Sequence, residues 1–195
     1  MRVLRAGDYR SMPWKNGGGV TTEIIVSPAG AGLDDFDWRI SMAKVESGGP
    51  FSSFANIDRT LSVLEGEGIE LAIAGQNKVR LDRTTPPLPF PADAPTEADL
   101  IGGPILDLNV MSRRGRRSHT VRRVNLSTPL TLASQADIVI VFDGDGVVDV
   151  QAPDPVRLGP HDAIVLEPGE RPIRFEPVQS ATLFIVEIHE ITDDH

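Results

Sequence analysis

An all-β chain built from two related modules is what this sequence predicts, and three observations carry that expectation. A phrase occurs twice, as Leu61-Ser62-Val63-Leu64-Glu65-Gly66-Glu67-Gly68-Ile69-Glu70-Leu71 and as Ile138-Val139-Ile140-Val141-Phe142-Asp143-Gly144-Asp145-Gly146-Val147-Val148-Asp149-Val150. Each copy is an apolar run, an acid-Gly-acid-Gly turn and a second apolar run, which reads as a β-hairpin. Glycine supplies the positive φ that tight hairpin turns need, and the interleaved acids are expected to keep the turn tip solvated. Helices have little room, because 16 prolines and 18 glycines punctuate the 195 residues and no dozen-residue window keeps a 3.6-residue period without one. The hydrophobic content of 40% is enough for a core shared by small sheets.

In chain order, Pro13-Trp14-Lys15-Asn16-Gly17-Gly18-Gly19 sets a large aromatic, a cation and an amide beside three consecutive glycines, which let the backbone approach a ligand or another segment closely. Val20 to Val26 and Asp37 to Ala43 read as strands. In the second, Arg39 and Ser41 share one face while Trp38, Ile40 and Met42 share the other. Residues 84–99 carry five prolines and predict an exposed connection or lid with little regular structure. Leu106 to Met111 resumes strand alternation, and Thr182 to Ile188 is the expected last strand. The modules are therefore expected at residues 1–120 and 121–195.

The second copy continues as Val156-Arg157-Leu158-Gly159-Pro160-His161-Asp162-Ala163-Ile164-Val165-Leu166-Glu167-Pro168-Gly169-Glu170. This stretch resembles the second conserved block of cupins, and two such modules imply a bicupin, each module a β-barrel or jelly roll. Other antiparallel sandwiches with glycine turns produce the same hairpin signals, so the barrel rests on this block.

The formal net charge of −9 opposes binding to nucleic acid or to an anionic membrane surface. Six of the 19 basic residues fall between Arg113 and Arg123, but no aromatic residue is interleaved for base stacking, so a solvated face or partners among the carboxylates is expected there. With no cysteine, neither disulfides nor thiolate metal sites are available. The N-terminal residues lack an apolar signal core and no apolar stretch is long enough to span a bilayer, so a cytoplasmic location is expected.

Cupins commonly hold a metal through two histidines and a glutamate in the first block and a third histidine in the second. Aligned on Gly66, the glutamate position falls near Arg59 and the histidine pair among Ser52, Ser53, Phe54 and Ala55. In the second module Leu130 to Ile140 holds no histidine, and the later position falls near Pro172. His119, His161, His189 and His195 are scattered, so no metal and no cofactor are expected.

Arginine near a vacated metal position points to an anionic small molecule, since the planar guanidinium matches a carboxylate bidentately. Lys15, Arg39, Arg59 and Arg113 supply the cations, Asn16, Thr21 and Ser41 the neutral donors and acceptors, and Trp14 a wall. Gly17 allows close approach, Asp58 orients a cation or accepts from a ligand, and Met111 completes the candidate set. Asp58 with Arg59 reads equally well as a structural ion pair, and Trp38 as a core residue. An alternative assigns an enzyme, with Asp58 or Glu23 as base and Arg59 or Lys15 as electrostatic stabiliser.

Four segments in order, Pro13 to Ile24, Trp38 to Ala43, Gly49 to Phe54 with Asp58-Arg59, and Asp107 to Arg114, resemble the HutD/Ves family of bacterial bicupins. Asn56 stands where that family usually has glycine and Leu108 where it has phenylalanine. The resemblance implies a cytoplasmic protein associated with histidine utilization that binds urocanate or N-formylglutamate and regulates the pathway. Paired cupin modules and sheet edges also predict a homodimer.

Overall fold

The computed structural model describes residues 1–15 and 17–191. The chain opens with strand β1 (Arg2–Leu4) and a 3-10 turn at Ala6–Asp8. Next come β2 (Arg10–Pro13), β3 (Gly19–Ser27), β4 (Trp38–Val45), β5 (Gly49–Pro50), β6 (Ile57–Glu65), β7 (Ile69–Ile73), β8 (Val79–Leu81), β9 (Leu88–Pro91), β10 (Thr96–Leu100) and β11 (Ile105–Arg113). The rest are β12 (Arg117–Leu126), β13 (Leu130–Leu132), β14 (Ile138–Asp145), β15 (Val148–Gln151), β16 (Val156–Leu158), β17 (Ala163–Leu166), β18 (Ile173–Pro177) and β19 (Ala181–Glu190).

These strands form two compact units. The N-terminal unit comprises Tyr9–Ser118 with Ile191, and the C-terminal unit comprises Met1–Asp8 and His119–Glu190. The expected division at residue 120 thus differs at the start of the chain, where β1 pairs antiparallel with β17 and Arg2 lies opposite Val165. Arg5 and the Ala6 N–H fix this segment by bonding the two carboxylate oxygens of Asp162.

In the N-terminal unit, a six-stranded sheet ordered β2-β3-β4-β11-β6-β9 packs on a four-stranded sheet ordered β5-β10-β7-β8. In the C-terminal unit the orders are β1-β17-β14-β19-β12 and β13-β18-β15-β16. Adding eight to each strand number converts β4-β11-β6-β9 into β12-β19-β14-β17, and β5-β10-β7-β8 into β13-β18-β15-β16. The repeated phrase is therefore the visible part of a repeated eight-stranded jelly roll, and the fold is a bicupin.

The phrase itself is not a hairpin. β6 pairs with β11 and β9, whereas β7 pairs with β10 and β8, so Glu65 to Gly68 is a corner that carries the chain from one sheet to the facing one. The corner needs its glycines. Gly66 has φ 92°, and a Cβ there would stand 2.6 Å from the Pro104 carbonyl oxygen. The acids differ too: Glu65 is exposed, while its counterpart Asp143 is wholly buried.

The proline-rich stretch also differs from expectation. It holds β9 and β10, and Phe90, Ala92, Thr96 and Ala98 are buried. Pro89 and Pro91 are accommodated because β9 is a sheet edge, where a strand does not need every N–H, while Phe90 between them points into the core. Asn56 occupies the left-handed region at φ 59°, a conformation that asparagine tolerates and glycine favours.

Candidate functional site

β4, β11 and β6 lie side by side in the six-stranded sheet, and strict alternation sends Arg39, Ser41 and Ala43 to the same face as Asp107, Asn109, Met111, Arg59, Leu61 and Val63. Ala43, Leu61 and Val63 pack against the facing sheet, which makes this the interior of the jelly roll. The register builds two polar rows. Arg39, Met111, Arg59 and Phe90 stand opposite one another across four strands, and one step along lie Glu23, Ser41, Asn109 and Leu61.

Arg39 is 5% exposed and donates from Nε to Glu23 Oε2 at 2.9 Å. Arg59 is 6% exposed, and its guanidinium carbon lies 5.4 Å from the ring centroids of Phe51 and Phe54 and 5.8 Å from that of Phe90. The aromatic faces contribute cation–π attraction but no acceptor atoms. The guanidinium donates from Nη2 in a long contact of 3.5 Å to the Ser52 carbonyl, while Nε is buried with no hydrogen-bond partner. Burial lowers the Arg59 pKa to about 10, with Asp107 opposing the shift and Arg39 adding to it.

Asp107, 1% exposed, accepts from Asn109 Nδ2. Burial raises its pKa to about 7, against the pull of Arg59, Asn109 and the backbone at Ala43. The inner face therefore combines two buried cations, one of them with an unpartnered Nε–H, and an acid whose pKa burial raises to about 7, a set whose chemistry suits a small anion.

Trp14 donates from Nε1 to Thr21 Oγ1 at 2.7 Å and packs on the apolar core of this jelly roll. Gly19 permits this, since a Cβ there would lie 2.3 Å from the Lys44 carbonyl oxygen and 3.1 Å from the indole. Lys15 and Gly17 are exposed in the turn after Trp14, and Gly17 has φ 72°. Asn16 falls outside the described residues. Met111 is buried among Phe36, Ile57 and Ala92 and separates Arg39 from Arg59 in their row.

Two expected site residues do not join this inner face. Asp58 neighbours Arg59 on a strand and so faces the opposite side, where Arg114 Nε bonds it at 2.9 Å and Arg114 also bonds Asp93. Arg113 donates to the carbonyls of Phe36 and Asp34 at 2.9 and 2.8 Å and fastens that loop. Arg116 pairs with Asp37, so these three members of the arginine cluster hold loops of their own unit.

Asp107, Asn109 and the phenylalanine cage lie outside the set of site residues that the sequence predicts. Asp107 and Asn109 alternate in phase with Ile105 and Met111 on a strand otherwise rich in apolar residues, and that phase was the available signal. Among the described residues no three His, Cys, Asp or Glu side chains gather as a metal-binding group. Among those residues no helix is long and apolar enough to cross a membrane.

The interior of the C-terminal unit is apolar around one carboxyl, Asp143, which is fully buried. Burial pushes its pKa up to about 8, and Asp145 and Asp162 reinforce the shift against a hydrogen bond from the Asp145 backbone. For Asp162, burial raises the pKa, but bonds from the Ala6 and Gly159 N–H groups and from Arg5 outweigh it and hold the carboxyl below the usual range.

Two jelly rolls repeated in one chain define a bicupin, and the N-terminal one carries the buried Arg39 and Arg59 on its inner face. The fold is shared with a cupin 2 barrel protein from Leptotrichia buccalis at TM-score 0.59 and 11% identity, covering 92% of this chain and 96% of that one. The chain belongs to the HutD family, whose model matches residues 6–184. It is 36% identical over 183 residues to an uncharacterized 21.2 kDa protein in the hutC 3' region of Pseudomonas putida, covering 90% of this chain and 92% of the relative. It is 36% identical over 141 residues to protein Ves of Citrobacter koseri, covering 70% and 72%. The structure of HutD from Pseudomonas fluorescens SBW25 superposes with TM-score 0.84 at 32% identity, covering 98% of this chain and 99% of that one.

Proposed function

We propose that this bicupin binds a small carboxylate at the inner face of its N-terminal unit and, as a cytoplasmic protein of histidine utilization, regulates that pathway, with urocanate or N-formylglutamate as ligand. The observation that carries the reading is Arg59, a nearly buried guanidinium with an unpartnered Nε, in one row with Arg39. A buried N–H without an acceptor costs free energy that a bound carboxylate oxygen recovers, and a charge-assisted bond of this kind contributes roughly 1.5–3 kcal/mol.

Calorimetric titration with urocanate and with N-formylglutamate tests the reading. Arg59→Ala, with its fold checked by circular dichroism, is expected to weaken binding by about ten- to a hundredfold. Equal affinity in the two proteins refutes the role given to Arg59, and absence of binding to the wild type refutes both ligands. The proposal includes self-association into a homodimer, which a monomeric mass by light scattering at micromolar concentration would dispose of.

An enzymatic second reading has one observation in its favour, the titration of Asp107 near pH 7 on the inner face, which suits a general acid–base group. Product formation from either acid on prolonged incubation with the protein distinguishes it from pure binding.

A further inference from the structure

We propose that the C-terminal unit carries a binding site of its own, a cleft at its corner that takes a small, neutral, polyhydroxylated molecule of monosaccharide size. The site shares no residue with the inner face of the N-terminal unit and stands independently of the carboxylate reading.

The cleft encloses about 370 Å³, within the range of about 300–1,000 Å³ that small-molecule sites occupy. Three stretches of the C-terminal unit build it. The end of β12 and the residue after it bring Asn125 and Ser127, the end of β14 brings Asp145, and the start of β19 with the turn before it brings Gln179, Ser180 and Thr182. Backbone and one methyl group close the floor. A Cβ at Gly146, where φ is 98°, would stand 2.7 Å from the Ala181 Cβ and 3.0 Å from the Ser180 carbonyl oxygen. The register of β14 against β19 shifts between Asp143 and Asp145, a bulge of the kind that re-aims a side chain, and the Asp145 carboxylate accepts the Thr182 N–H at 2.7 Å.

The N-terminal unit offers an internal comparison. In the repeated phrase Glu67 matches Asp145, and the Glu67 carboxylate lies over Gly102, in the turn between β10 and β11, where a Cβ would collide with it. The corresponding turn of the C-terminal unit, between β18 and β19, carries Gln179 and Ser180 instead, and its acid is shorter by a methylene group. Glu67 thus covers its own corner, whereas Asp145 is held at Thr182 and leaves the other corner open.

The lining chooses among ligand classes. Among the described residues it holds no cation and no aromatic ring, so an anion meets the Asp145 carboxylate without a countercharge and an aromatic ligand finds no stacking partner. A cation would satisfy Asp145 but leave the amide N–H groups of Asn125 and Gln179 without acceptors. Hydroxyl groups both donate and accept, and they match a lining in which two amides and three hydroxyls do the same beside one carboxylate. Asn125, Ser127, Gln179 and Ser180 are exposed, so a ligand reaches them from solvent without a strand moving.

The experiment records amide chemical shifts of the full nitrogen-15-labelled chain during titration with myo-inositol and with D-glucose, and with formate and ammonium as charged controls. At least one of the two polyols is expected to shift the amides of Asn125, Ser127, Gln179, Ser180 and Thr182 saturably at millimolar concentration, while formate and ammonium leave them in place. Ser127→Trp, which fills the cleft from an exposed position, is expected to abolish that response, and Gln179→Ala to weaken it by about three- to tenfold through loss of a neutral hydrogen-bonding group. Absence of shifts with both polyols overturns the proposal, and so does a response confined to other residues or one that Ser127→Trp leaves unchanged. A response of these amides to formate or ammonium alone assigns the cleft to a charged ligand and overturns it equally. The wild-type map and Gln179→Ala decide the matter should Ser127→Trp fail to fold.

Discussion

Replacing Asp143 by asparagine is expected to stabilise the C-terminal unit increasingly as pH rises. Asp143 is fully buried, and its pKa is pushed up to about 8 by burial, aided by Asp145 and Asp162 and opposed by a hydrogen bond from the Asp145 backbone. In the unfolded chain the same carboxyl ionises near 3.9. The folded state thus holds a proton that the unfolded state releases, and stability declines from about pH 4 until the folded pKa is passed, then levels. The slope is at most about 1.4 kcal/mol per pH unit. Between pH 5 and pH 8 that amounts to at most about 4 kcal/mol. Asparagine leaves a buried amide, which costs about 1–3 kcal/mol at every pH. The diagnostic quantity is therefore the change with pH of the difference between the two proteins, rather than its absolute value. Urea unfolding followed by far-ultraviolet circular dichroism at pH 5, 6, 7 and 8 measures it. Trp14 and Trp38 both lie in the N-terminal unit, so their fluorescence supplies an internal control that Asp143→Asn should leave in place. Stability curves for the two proteins that run parallel from pH 5 to 8 would refute the argument.

The remaining predictions concern the placement of side chains. Asp58→Ala removes an exposed pair with Arg114 and is expected to cost less than about 1 kcal/mol, leaving carboxylate affinity unchanged. A tenfold loss of affinity in calorimetry would return Asp58 to the site. Gly66→Ala forces a side chain into φ 92° and against the Pro104 carbonyl, and it should destabilise the N-terminal unit by about 1–3 kcal/mol in tryptophan-monitored unfolding. An unchanged midpoint would contradict the corner geometry.

Much of the fold is legible from the chain because its corners carry glycines in phase in both modules, and at the second glycine of each corner, Gly68 and Gly146, the backbone takes a positive φ. Pairing partners are not legible in the same way. Glu65 to Gly68 has the local chemistry of a hairpin, and only the distant strands β9, β10 and β11 decide that its flanks enter different sheets. The same limit governs the site. Arg39 and Ser41 follow from alternation within one strand, and alternation alone also sends Asp58 away from Arg59. The cage around Arg59, by contrast, assembles Phe51 and Phe54 from one loop and Phe90 from a proline-rich stretch whose composition reads as exposed linker. Asp107 is not legible as a buried residue because an acid in a strand ordinarily faces solvent. Its burial becomes visible only once the register sets it between Ala43 and Val63.

The pairing of β1 with β17 has a consequence for biosynthesis. The first eight residues leave the ribosome before any of their partners, and the whole N-terminal jelly roll is synthesised before Ala163 to Leu166 can receive Val3 and its neighbours. One unit can thus fold as soon as its last strand emerges, while the other is finished only when the start of the chain returns to dock. A fragment beginning at His119 would lack an edge strand and the Arg5 and Ala6 donors that hold Asp162, leaving β17 as an open edge available to another chain. Supplying residues 1–8 as a separate peptide, or grafting them after Glu190, is accordingly the way to obtain that unit by itself.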